Sequence, residues 1–512
     1  MSGNLYLRID ARVREHSDRC CWSVPGRRNW SWAEVGAAAA RNAAALHAAG
    51  VRAGDRVLVQ VEKSAEALLL YLGCLRAGAV FIPLNTAYTA SELEHFLRDA
   101  EPRLLVCDPA KSSLLAPLAQ RCGVARVETL AADGSGSWSI AVAERGEDAS
   151  ESPIAACGRD DLASIVYTSG TTGRSKGAML SHRNLESNAD ALIECWQFRD
   201  DDVLLHALPV YHVHGIFVAM HCAMLAGART ILLPKFDVDA VLALLPTSTV
   251  FMGVPTFYTR LLADARFDRA AAARVRVFIS GSAPLLPATF AEFEQRTGHR
   301  ILERYGMSEA GIIASNPLHG GRMAGTVGFL LPGVAARVAD DAGAELPRGE
   351  PGVLEIQGPG VIRGYWRLPE RTTMDFRHDG FFITGDLATM DAEGRVAIVG
   401  RARDLIISGG FNVYPREIEL AIDALPGVDE SAVIGVPHPD FGEAVVAVVV
   451  PLADHVLDEA SLVISLQDRL ARFKQPKRVF VVDALPRNAM AKVQKAMLRE
   501  QYRGAFAPPP SP

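Results

Sequence analysis

Apolar positions along this chain fall into short dense runs separated by stretches of helical spacing. Arg56 to Val61, Val80 to Pro83, Arg103 to Cys107, Leu162 to Val166 and Thr249 to Val254 are short apolar runs, and Val277-Phe-Ile begins another; they read as buried strands. Between them, the alanine-rich segment after Trp32 up to Gly50, Leu68 to Ala77 and Glu92 to Ala100 read as helices, and Pro255 opens another. Strands alternating with helices predict an α/β fold with a mostly parallel sheet. The segment from Ala131 to Asp160, rich in Gly, Ser, Asp and Glu, reads as an exposed connection.

Composition narrows the function classes. At 512 residues, 49% hydrophobic and 22% charged, the chain exceeds a single typical domain. A net charge of −6 without a long basic run excludes the footprint of a nucleic-acid binder. The most apolar stretches, Ala67 to Leu84 and Ile216 to Leu233, are broken by Arg76, His221 and Arg229, so no membrane span is expected. With no apolar signal core at the N-terminus, a cytoplasmic protein is expected. The 8 cysteines contain no C-x-x-C pair, which argues against a disulfide framework or a zinc ribbon.

The candidate chemistry centres on Tyr167 to Gly177, where Thr168, Ser169, Thr171, Thr172 and Ser175 alternate with Gly170, Gly173 and Gly177 and Lys176 adds a cation. Hydroxyls and unobstructed backbone N–H groups after a strand make a phosphate cradle. It is not a Walker A loop, because Ser175 stands where that spacing needs Gly. Further on, Ala207-Leu-Pro-Val-Tyr-His212-Val-His214-Gly215 sets two imidazoles at a turn or strand end, where either can hydrogen-bond or gate a cleft. Gly281, Ser282 and Ala283 follow an apolar strand and leave room for a flat ring against the backbone. In Leu302-Glu-Arg304-Tyr305-Gly306-Met307-Ser308-Glu309, the tyrosine offers a face for a purine, the serine a hydroxyl for phosphate and the glutamate a hard oxygen for Mg²⁺. Asp386, after a Thr-Gly turn, can accept both ribose hydroxyls. Arg401, the Gly409-Gly410 turn and Lys492 complete the set.

In this order and spacing, these runs resemble the signatures of the adenylate-forming superfamily of acyl- and aryl-CoA synthetases, luciferases and peptide-synthetase adenylation domains. The resemblance implies a large N-terminal domain of mostly parallel sheets with flanking helices, about residues 1–402. A small mobile α+β domain, 403–512, would carry Lys492 and pivot at Arg403. The implied reactants are ATP with Mg²⁺, an acid and coenzyme A. Thr168 and Glu309 would hold the metal, Lys492 would reach the α-phosphate, and Gly409 and Gly410 would line the thiol's tunnel. His212 is the first choice for the gate beside the acyl pocket and His214 the second. Related ligases also imply a lysine-acylating regulator acting on Lys492. Lys495 is read as its solvated neighbour.

Arg304 stands where most of the superfamily has a small residue, and Arg260 follows Val-Pro-Thr. Two guanidiniums near an acyl pocket suit a second carboxylate, which predicts a small dicarboxylic acid. The runs around Arg260 and Arg304 resemble malonyl-CoA synthetases in particular, with His212 and Ser282 beside the acid and methylmalonate an open alternative. Readings kept open are a ligase for a short-chain or aromatic monocarboxylate, a protein that binds adenine nucleotide without turnover, and an enzyme that loads a carrier protein.

Overall fold

The computed structural model describes residues 3–146, 152–168, 175–408, 411–438, 441–467, 469–470, 472, 474–488 and 492–506. The chain divides into two compact units, Met1–Ala335 with Ile356–Phe382, and Ala336–Glu355 with Ile383–Pro512.

Two sheets frame the first unit. One has six strands in the order Arg126–Thr129, Leu104–Cys107, Arg56–Gln60, Val80–Pro83, Leu162–Thr168 and Lys176–Ser181. All of its pairings are parallel except the last. The other has nine strands: Phe329–Leu330, Gly311–Ser315, Leu302–Met307, Val277–Ser280, Val250–Gly253, Val203–His206, Arg229–Leu232, Cys20–Ser23 and Asn29–Ser31. It is parallel in its middle and antiparallel towards both edges. Helix Ala65–Ala77 begins where Ser64 accepts from the Ala67 N–H, and all but one of its residues are buried. A helix apolar all round belongs inside a protein rather than on it. Its leucines share one core with Val57 and Phe81 of the six-stranded sheet and Leu204, Met252 and Ile279 of the nine-stranded sheet, so it fills the space between the sheets.

The predicted α/β class and its early strands and helices are present, with ends shifted by a few residues. One segment differs. Within the expected exposed connection, Ser137–Ala143 is a helix whose Trp138 is 1% exposed and donates from Nε1 to Asn42 Oδ1 at 2.9 Å. A single indole finding a buried acceptor outweighs the polar composition around it. All eight cysteines are free, and no helix among the described residues is long and apolar enough to cross a membrane.

The second unit is smaller. Strands Ala335–Ala339, Gly352–Gln357, Phe382–Met390 and Val396–Arg401 form one sheet, most of it in this unit. Phe411–Val413, Ile406–Ser408, Gly442–Pro451 and Val428–His438, with Arg478–Val481 on Gly442–Pro451, form another. Val445, Ala447 and Val449 pack with Ile418 and Ile422 of helix Pro415–Asp423 on one face. Val446, Val448 and Val450 pack with Leu498 on the other. Burial on both faces explains why this strand reads as an unbroken apolar run.

Candidate active site

The phosphate-cradle residues Ser169, Gly170, Thr171, Thr172 and Gly173 lie outside the described residues, as do Gly409 and Gly410. Both arms of the cradle are described. Thr168 and Lys176 are opposite each other on antiparallel strands at the sheet's edge. The Thr168 hydroxyl donates to Glu309 Oε1 at 3.2 Å, and the Tyr365 hydroxyl reaches the same oxygen at 3.3 Å. Glu309 is 7% exposed, and burial raises its pKa against the opposing pull of Lys176, Thr168 and Tyr365. Lys176 pairs with Asp375 Oδ2 at 3.2 Å and sits 4.2 Å over the Tyr365 ring, while Arg371 holds both oxygens of Asp375. Thr168, Lys176 and Glu309, separated in sequence, are therefore one polar cluster, with Tyr365 and Asp375 as members that sequence reading missed.

A second cluster surrounds Arg304. The strand Leu302–Met307 carries it next to Val277–Ser280, and its guanidinium lies against Gly281, where an added Cβ would stand 2.4 Å from Cζ. A flat guanidinium of the chain itself therefore lies against that glycine. Arg304 is 4% exposed, and its Nε and Nη2 have no hydrogen-bond partner among the described residues. Burial lowers its pKa to about 10. Ser282 holds a left-handed φ of 70°, a conformation rarely taken by a side chain other than glycine or asparagine and a mark of imposed geometry. Its hydroxyl meets His214 Nδ1 at 3.3 Å. Burial, reinforced by Arg304, pushes the His214 imidazole well below its usual range, so it is neutral. His212 is half-buried and accepts from the His214 N–H at 3.3 Å. Ala283 is exposed beyond Ser282.

The two arginines differ. Tyr258, on helix Pro255–Leu262, is fully buried and donates to the Ile279 carbonyl at 2.6 Å, whereas Arg260, about 200° round that helix, is exposed and has no ion-pair partner among the described residues. Tyr305, Met307 and Ser308 are half-buried along the strand and the turn after it. Gly306 is tightly approached by the chain's own backbone, since a Cβ there would lie 2.2 Å from the Gly311 carbonyl oxygen.

In the second unit Asp386 and Arg401 are cross-strand neighbours joined at 2.6 Å, and the Asp386 side chain is 4% exposed. Arg403 is exposed on a short turn, Ala402–Asp404. Lys492 is exposed, with its N–H on Asn488 Oδ1 at 3.0 Å and its carbonyl accepting from the Asn488 N–H at 2.9 Å. Lys495 corrects the sequence reading. Rather than being a solvated neighbour, it is paired at 2.5 Å with Glu419, whose side chain is 8% exposed.

Within the first unit, one cluster thus holds a hydroxyl beside a buried carboxylate and another holds a buried guanidinium. Residues 9–366 match the model of the AMP-binding enzyme family, and 417–492 match that of the AMP-binding enzyme C-terminal domain. The chain belongs to the AMP-binding enzyme family. The ATP-bound crystal structure of MatB from Rhodopseudomonas palustris is similar to it, with 53% identity and a TM-score of 0.96 over 99% of this chain and 100% of that one. A malonate–CoA ligase of Arabidopsis thaliana is 36% identical over 87% of this chain and 78% of its own length. A feruloyl-CoA synthase of an Amycolatopsis species is also 36% identical, over 92% of this chain and 94% of its own. Family membership thus leaves the acid to be decided by the site itself.

Proposed function

We propose that this AMP-binding enzyme is an acid–CoA ligase that makes malonyl-CoA from malonate, ATP and CoA, releasing AMP and pyrophosphate. The observation that carries the choice of acid is Arg304, a buried guanidinium whose Nε and Nη2 have no partner among the described residues. Unfilled donors on a buried charge are costly until an anion completes them, and a carboxylate matches that fork bidentately. One carboxylate of the acid is consumed in the reaction, so the anion for Arg304 is the other. Exposed Arg260 is assigned as a second cation for it. Similarity to the malonate–CoA ligase and to MatB supports this reading. Methylmalonate has the same two carboxylates. Similarity to a feruloyl-CoA synthase keeps an uncharged acid as the second reading, against which the guanidinium speaks.

The reaction has two displacements. A carboxylate oxygen of the acid attacks the α-phosphorus of ATP, and the bond to the β-phosphate bridging oxygen breaks as pyrophosphate leaves. The CoA thiolate then attacks the acyl carbon, and the acyl–oxygen bond breaks to free AMP. In the first step two anions meet, so cations and N–H groups aimed at the phosphates are the main catalytic resource. We assign phosphate binding to Thr168, Lys176 and residues 169–173. Adenine binding falls to Gly281, Ser282, Ala283 and Tyr305 to Ser308, ribose to Asp386 with Arg401, and the α-phosphate cation to Lys492. His212 and His214 wall the acid. Division at 402/403, a pivot at Arg403, and Gly409 and Gly410 beside the thiol belong to this reading, as does loss of the Lys492 charge on acylation as a means of control.

The donor set fits Mg²⁺: one carboxylate, Glu309, with the Thr168 hydroxyl beside it supplies hard oxygens, and that ion is ordinarily held by one or two carboxylates together with substrate phosphates and water. When bound, it would neutralise charge on the transferring phosphoryl group.

The test compares Arg304→Met with the parent enzyme on malonate and butyrate. Loss of a charge-assisted pair should lower malonate kcat/KM on the order of 100-fold while sparing butyrate; equal losses on both acids would remove the dicarboxylate reading.

A further inference from the structure

Lys63 is 7% exposed, and no carboxylate among the described residues pairs with it. It follows the strand Arg56–Gln60 and precedes Ser64, the cap of the central helix. Its Nζ instead meets three acceptors: His206 Nδ1 at 2.6 Å, the His206 carbonyl at 2.8 Å and the Leu208 carbonyl at 3.0 Å. Three acceptors match the three N–H bonds of an ammonium group and oppose burial, which pulls the Lys63 pKa well below its usual range.

The contacts continue beyond His206. Its Nε2 lies 2.9 Å from the Gly215 carbonyl oxygen, which can only accept, so Nε2 carries the proton and bare Nδ1 accepts from Lys63. Burial, and then the neighbouring Lys63 charge, lowers the His206 pKa to about 3, in keeping with that neutral tautomer. Gly215 is itself pressed against this loop, since a Cβ there would fall 1.9 Å from the Pro209 carbonyl oxygen. The loop from His206 to Gly215 is therefore closed on itself and tied from inside to the end of a strand in the other sheet. That loop carries His212 and His214, and His214 meets Ser282 beside Gly281 and Arg304.

We propose that Lys63 is a positioning residue for the acid-binding wall, acting through His206 to fix the backbone that carries His212 and His214. The inference rests on the acid site assigned above. Removing the amine leaves the Leu208 carbonyl and the His206 imidazole without this donor, while the His206 carbonyl keeps the Leu233 N–H at 3.0 Å; the histidine loop can then relax, which affects binding of the acid. The nucleotide cluster at Thr168, Glu309 and Tyr365 shares none of these hydrogen bonds.

The test is ATP–pyrophosphate exchange with malonate and ATP varied separately, in the full-length wild type, Lys63→Met, His206→Asn and His206→Gln. Asparagine can keep a partner for Lys63 near the Nδ1 position but cannot reach Gly215; glutamine can restore the donor to Gly215. The expected result is a malonate KM raised tenfold or more in Lys63→Met and His206→Asn, ATP KM within twofold of wild type in all variants, and malonate KM restored towards wild type in His206→Gln. A folded Lys63→Met with malonate KM within twofold of wild type, or with malonate and ATP KM raised alike, overturns the proposal. Should Lys63→Met not fold, equal malonate KM in the two His206 variants overturns it. A wild type that exchanges with butyrate or benzoate but not malonate sinks the malonate reading alone, and the same comparison is then read with that acid. A wild type that exchanges with no acid overturns both.

Discussion

The Arg304 guanidinium rests on Gly281, and an alanine there would put its Cβ 2.4 Å from Cζ and 2.5 Å from Nε. Real Cβ atoms do not approach that closely, so the guanidinium must move. Gly281 has no left-handed φ, and alanine suits its backbone. Gly281→Ala should therefore fold normally and raise the malonate KM about tenfold or more, the scale of one displaced charge-assisted hydrogen bond. Melting curves and steady-state kinetics on the same sample check this. An unchanged KM would mean that the position of Arg304 does not matter to the acid.

Tyr365→Phe removes one of two hydroxyls that donate to Glu309 Oε1. The cost of a hydrogen bond of this kind is about 1 kcal/mol. The Mg²⁺ concentration for half-maximal pyrophosphate release should rise several-fold, with little change in the acid KM. A Mg²⁺ dependence identical to wild type would show that Tyr365 does not orient the carboxylate.

Asp423 supplies a pH test in the second unit. Its side chain is 8% exposed and burial raises its pKa to about 7, opposed by the Ser431 hydroxyl at 2.7 Å and by Arg416 and reinforced by Glu419 and Glu430. A carboxyl group whose folded pKa lies above its unfolded value costs nothing below the unfolded pKa, and stability falls as pH rises between the two. The fall should run from about pH 4 to about pH 7 and total on the order of 2–4 kcal/mol. Asp423→Asn, which keeps an oxygen for Ser431, should flatten it in chemical denaturation followed across that range. A slope the same in both proteins would assign the pH dependence elsewhere.

Lys492 and Lys495 should separate chemistry from stability. Lys492→Ala is expected to abolish pyrophosphate release while ATP still binds at equilibrium. Lys495→Ala leaves Glu419 without its nearest cation and should cost on the order of 2 kcal/mol of stability. Normal pyrophosphate release by Lys492→Ala would show that the α-phosphate cation is another residue.

Local patterns made much of this molecule legible. Short apolar runs gave the parallel strands, because each is buried on both faces. Thr168, Arg304 and Glu309 stood out because their chemistry is carried by neighbours within a few positions. What stayed hidden depends on contacts across long separations. Lys63 and His206 are 143 residues apart, Tyr365 and Glu309 are 56 apart, and nothing near Lys63 distinguishes it from a surface lysine. Gly281 also admits Arg304 and Gly306 the Gly311 carbonyl, contacts that only the folded chain supplies. Lys495 looked like surface charge because Glu419, its partner, comes from a distant helix.

The most direct measurement is pyrophosphate release by the wild-type protein with ATP, Mg²⁺ and CoA, comparing malonate, methylmalonate, succinate, acetate, butyrate and benzoate. A buried guanidinium with two nitrogens unpartnered among the described residues predicts that malonate or methylmalonate is turned over with the highest kcat/KM and that the monocarboxylates are poor substrates. A higher kcat/KM for butyrate or benzoate would contradict the account of Arg304 as the seat of a second carboxylate.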